Sequence, residues 1–237
     1  MPYERVARVK QVGTAVALVV APLVYMIGQA LQPDFDTSEA AEQLPVLVEH
    51  GARGTAALTI SILGLILFVP AILGLMRMMP GRGAWLSLIG GSFAIAGAVL
   101  VATTLSAIGL VPFELAELWE TEGVAVEPAL QKLIDNAQGQ GAIGAYLGIG
   151  FILLPLGLLL TAIGLWRSRA VPRWVAVVIA IGAVGYLAGV DHWIRAADAA
   201  ILLVGMGAVG FRMLGGVDAT TPRPVTADLP AASPAHP

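Results

Sequence analysis

Two histidine–carboxylate neighbours are the residues here whose types could do chemistry: Glu49 beside His50, and Asp191 beside His192. An imidazole nitrogen and a carboxylate oxygen together suit a divalent metal, and histidine can move protons near neutral pH. A metal centre, however, needs three or four ligands in a fixed pattern, and neither pair sits in one. The four residues are therefore read as an outer-face polar cluster, with no catalytic, metal or cofactor role assigned. The chain has no cysteine, which removes disulfides, thiolate nucleophiles and sulfur-ligated metals. Asp198 is read as the N-terminal cap of the last apolar run. No ionisable side chain falls well inside any apolar run, which argues against proton relays, ion-coupled carriers and intramembrane haem ligation.

The elements that must position these residues are long and apolar. The 237 residues are 57% hydrophobic and 12% charged, with a mean hydropathy of +0.84. A soluble domain is about 25% charged. Runs of about 20 apolar residues cross roughly 30 Å of hydrocarbon as helix. Six such spans are expected, at about 12–31, 54–76, 84–111, 141–166, 174–190 and 198–213. Residues 1–11 form a short polar N-terminus, and 215–237, rich in Pro, Ala and Thr, are expected to be a disordered tail. The first apolar run is longer than the core of a cleavable signal, so the first helix is expected to be retained.

Two acidic stretches separate the spans. Between residues 32 and 53, Pro33 and Pro45 act as breakers, and the Asp36–Glu39 spacing suggests a short helix on the bilayer surface. After Pro112, Glu114, Glu117 and Glu120 share one helical side. Glu127-Pro128 opens a further helix with Leu130, Leu133 and Ile134 on one face. The expected fold is thus all-α: a polytopic six-helix transmembrane bundle with short surface helices in two large outer loops.

Charge sets an expected orientation. Arg5, Arg8, Lys10, Arg77, Arg82, Arg167, Arg169, Arg173, Arg212 and Arg223 fall on one side, and only Arg53, Lys132 and Arg195 on the other. The positive-inside rule makes the first side cytoplasmic, with both termini there. Trp166, Arg167, Arg169, Arg173 and Trp174, around the turn after the fourth span, serve as topology anchors. Trp85 joins that inner belt, while Tyr25, Tyr146 and Tyr186 are expected in the outer thirds. The preference for Arg over Lys, with abundant Ala, Gly and Val, points to a GC-rich bacterial genome and its inner membrane.

Small residues recur at helical spacing in Gly90, Ala94 and Ala98, in Gly144 and Gly148, and in Gly185 and Gly189, marking seams for close helix packing. Pro70 and Pro155 are expected to kink the second and fourth spans. The segments Gly74–Trp85 and Gly164–Trp174 resemble one another, as inner-face turns recruit Arg, Pro and Trp in any such protein.

The hairpin carrying Leu154-Pro155-Leu156-Gly157, then Arg167-Ser168 followed by Val171-Pro172-Arg173-Trp174, then Gly182-Ala183-Val184-Gly185-Tyr186-Leu187, resembles that of a bacterial multi-pass membrane family of unknown function. The resemblance covers about residues 154–187 and implies a six-helix membrane protein without catalytic residues. The expected function is a non-enzymatic scaffold or accessory subunit that contacts a partner through the outer loops. The alternative is a passive transporter or binding protein for a small apolar or lipid-like molecule, and an outward metal-dependent enzyme is a third. The lipid bilayer and a membrane protein or second copy are the expected partners, and nucleic acid is not.

Overall fold

The computed structural model describes residues 2–33, 39–79, 81–137, 141–188 and 192–215. All regular elements among them are helical: α1 Pro2–Leu31, α2 Ala40–Arg77, α3 Ala84–Leu105, α4 Val111–Glu122, α5 Glu127–Asp135, α6 Ala142–Ser168, α7 Arg173–Ala188 and α8 His192–Leu214. Five helical stretches are long and apolar enough to cross a membrane: Val9–Leu31, Ala40–Arg77, Ala84–Glu122, Ala142–Ser168 and His192–Leu214. The protein is therefore a multi-pass, all-helical membrane protein. The apolar α7, with 16 residues, is shorter than these five.

Helices α1, α2, α3, α6, α7 and α8 form a closed ring in which each packs on the next and α8 returns to α1. One continuous core of Leu, Ile, Val, Ala and Met side chains fills it. The tightest seam joins α3 to α6. A Cβ on Gly90 would lie 2.8 Å from the Gly157 carbonyl oxygen, one on Gly157 2.5 Å from the Gly90 carbonyl oxygen, and one on Gly83 2.7 Å from the Gly164 carbonyl oxygen. Gly97 and Gly150 continue the two rows against Leu154 and Val101. Glycines at seven-residue steps on two antiparallel helices thus let backbone meet backbone.

Gly90 and Ala94, expected to mark a seam, line it, whereas Ala98 lines the crevice between α2 and α3. Gly148 does not, since nothing lies within 4 Å of where its Cβ would be. Gly189 lies outside the described residues. Neither proline interrupts its helix: Pro155 is buried within α6, and Pro70 lies on the outer surface of α2.

The helix boundaries differ from the sequence expectation in an informative way. α1 begins at Pro2, not at residue 12, and α2 runs unbroken from Ala40 through the stretch expected to be a separate surface helix. Pro45 is tolerated because it lies in the second turn of α2, where it forfeits a single backbone bond. Pro112 likewise fails to end the third span. Thr103, Thr104 and Ser106 donate their hydroxyls to the carbonyls of Val99, Leu100 and Ala102, and one wide π turn, Ser106–Leu110, carries the chain into α4. α4 then stops at Gly123, whose φ of 64° is the left-handed conformation glycine adopts freely.

With 38 residues, α2 is about 57 Å long, roughly twice the hydrocarbon thickness, and the α3–α4 stretch is as long. Their polar ends, bearing Glu42, Glu49, Glu114, Glu117 and Glu120, must stand clear of the hydrocarbon. There α2, α4 and α5 enclose a second core, in which Leu44, Leu47, Phe113 and Leu130 are buried. The α5 side chain of Gln131 accepts the Ala40 N–H at 2.9 Å and so caps α2 from another helix. This platform projects beyond one end of the helical ring.

Candidate functional site

Glu49 is exposed and His50 half-buried on α2. His192 opens α8, with its ring 5.1 Å from that of Trp193, and Asp191 lies outside the described residues. In the ring, α1 stands between α2 and α8. Among the described residues no three His, Asp or Glu side chains converge on a metal position. The anchors of the α6–α7 turn do come together. Arg173 lies 5.5 Å over the Trp166 ring, Trp174 and Arg167 are exposed, and Arg169 takes the left-handed conformation, φ 54°, that ends α6. They hold the turn between α6 and α7.

The platform carries a groove of about 650 Å³ between α2 and α4. Its floor is Leu47, Ala52, Phe113 and Ala116, and Glu114, Glu117 and Glu120 form one wall. That wall exists because residues at three-residue steps share a helical side, while Phe113 and Ala116 turn inward onto α2. Below it, Ile62, Ile66 and Val69 of α2 and Ala98, Val99 and Ser106 of α3 line an apolar crevice of about 300 Å³ on the outside of the ring.

A third site was hidden from sequence reasoning. Asp198 does not cap the last span: α8 starts at His192, so Asp198 is two turns inside it and only 5% exposed. The expectation that no ionisable group lies within a span is thereby corrected. Tyr25 and Tyr186, expected in the outer thirds of their spans, are buried in the protein at 3% and 5% exposure, with their hydroxyls 3.5 Å apart. A tyrosine hydroxyl inside the bundle finds a partner where lipid would offer none.

Packing register places these groups at one level. Gln11 donates to the Met213 carbonyl at 2.7 Å, and a Cβ on Gly210 would lie 2.7 Å from the Ala15 carbonyl oxygen. Counting along the two antiparallel helices from those contacts sets Tyr25 opposite Asp198. On the other side Gly185 faces the Asp198 carboxylate, and a Cβ there would lie 2.8 Å from its Cγ. The rings of Phe68 and Phe151 pack on Tyr25 and Tyr186 with centroids 6.3 and 5.7 Å apart, and the Arg195 guanidinium lies 4.7 Å from the Phe151 centroid. Five helices thus meet at an aromatic and polar centre. The signal was available: with the helix begun at His192, Asp198 shares the stripe of Leu202, Gly205, Met206 and Val209, all buried.

No family model, no curated protein and no solved structure matches the chain.

Proposed function

We propose that the protein is a non-enzymatic scaffold or accessory subunit of a bacterial inner membrane, crossing it six times with both termini in the cytoplasm and holding a partner on its outer platform. The observation that carries this reading is the platform itself. Two helices continue well past the hydrocarbon and, with α5, bury a separate core that presents the acidic groove. Rigid secondary structure outside the lipid, carrying a groove between two helices, suits the binding of a partner. For the sixth crossing, α7 supplies 16 residues, about 24 Å, which a locally thinned bilayer accommodates. The concentration of arginine around the turns after α2 and α6 supports the orientation. The hairpin's resemblance to a bacterial multi-pass family belongs to the same proposal.

Because the chain lacks cysteine, single cysteines test both parts. In intact cells a membrane-impermeant maleimide should label Glu122→Cys and spare Arg169→Cys. A short crosslinker on Glu117→Cys should yield one discrete adduct, either a partner protein or a second copy, that Arg169→Cys does not give. A monomer without adduct would overturn the scaffold reading. The crevice between α2 and α3 favours a second reading, a binding site for a small lipid-like molecule. A lipid that co-purifies with the wild type and is lost in Ala98→Phe would establish it.

A further inference from the structure

The buried centre holds an oxygen atom that the fold leaves unexplained. Asp198 Oδ2 is shielded from solvent and has no hydrogen-bond donor. Such an atom inside a membrane protein is expensive, and intramembrane carboxylates that persist are paired or functional. The surroundings are shaped around it: at Gly185 the missing side chain leaves the space that the carboxylate fills.

The neighbouring tyrosines point to an occupant. Their hydroxyl oxygens are 3.5 Å apart, at the outer limit of a hydrogen bond, whose usual O–H···O length is about 2.7–2.8 Å. Two oxygens bound to one hard cation at about 2.5 Å each, at right angles, lie about 3.5 Å apart. We propose that Asp198, with the hydroxyls of Tyr25 and Tyr186, binds a single monovalent metal cation of sodium size in the centre of the bundle.

One carboxylate with neutral oxygens balances one positive charge. A divalent ion of this kind draws on several carboxylates. The charged and titratable groups facing the site are Tyr25 from α1, Tyr186 from α7 and Arg195, one turn earlier on α8. The Arg195 guanidinium, lying on the Phe151 ring, opposes a second positive charge at the site. The ion ties α1, α7 and α8 together, so binding stabilises the fold by mass action.

The test is the unfolding temperature of the purified full chain in sodium chloride and in N-methyl-D-glucamine chloride at equal ionic strength. At about ten times half-saturation, sodium should raise it by about 3–6 °C in a saturable way. Asp198→Asn should abolish the rise, Tyr25→Phe should weaken it, and Glu120→Gln on the platform should leave it intact. If Asp198→Asn does not fold, sodium-23 NMR line broadening by the wild type, relieved in Tyr25→Phe with Tyr186→Phe, reads the same site. A rise equal in both salts, a rise that survives Asp198→Asn, or no broadening by the wild type would overturn the proposal.

Discussion

The seam between α3 and α6 and the core of the platform hold helices together by opposite means. In the seam, Gly83, Gly90 and Gly97 meet Gly150, Gly157 and Gly164, and the close contacts are largely backbone to backbone. In the platform, Leu44, Leu47, Phe113 and Leu130 interdigitate large side chains, and the Phe113 ring rests on Gly54. The difference follows from the solvent. Lipid tails are as apolar as leucine, so burying leucine against them gains little, and close packing through small residues decides. Water around the platform restores the hydrophobic effect, about 25 cal/mol per Å² of apolar surface removed.

The largest effect should come from putting a side chain into the seam. Gly157→Leu would drive into Ala94 and the Gly90 carbonyl, backbone that cannot yield, and is expected to cost about 4 kcal/mol or more and leave little folded protein in detergent. Gly148→Ala, placed in open space, should leave the unfolding temperature unchanged or slightly raised. If both variants behave alike, the seam is not what holds the bundle.

Phe113→Ala should come next, at about 3 kcal/mol, because an aromatic ring leaves a small core that has little else to collapse onto. Its effect should be local. Limited proteolysis is expected to cut within α4 and α5 while the α3–α6 seam stays resistant, and simultaneous loss of both regions would show that they fold as one unit. The smallest change should be Gln131→Ala, which removes the acceptor of the Ala40 N–H at a cost of about 1 kcal/mol. Faster amide exchange in the first turn of α2, with α6 unaffected, is the expected reading.

Much of this architecture was legible in the order of residues. Apolar run length marked the helices. The Glu114, Glu117 and Glu120 spacing marked one wall of the groove, and Gly90 and Ala94 marked one side of the seam. Helix ends were misplaced wherever proline or charge was taken as a stop. Pro45 and Pro112 lie near helix starts, where proline costs little, and Asp198 was excluded from its helix because a charge near the edge of an apolar run looks like a boundary. The buried centre went unread for that reason, as did the role of Tyr25 and Tyr186.

By itself the sequence determined that the chain is helical and crosses a membrane, because hydrocarbon accepts only segments that satisfy their own backbone, and that requirement is written in local composition. Only the tertiary structure decided which helices touch. Gly90 faces Gly157 at a sequence separation of 67, and Tyr25 faces Tyr186 at one of 161, in a register set by how six helices close into a ring. The same closure took Asp198 from the margin of an apolar run and buried it between helices of the bundle.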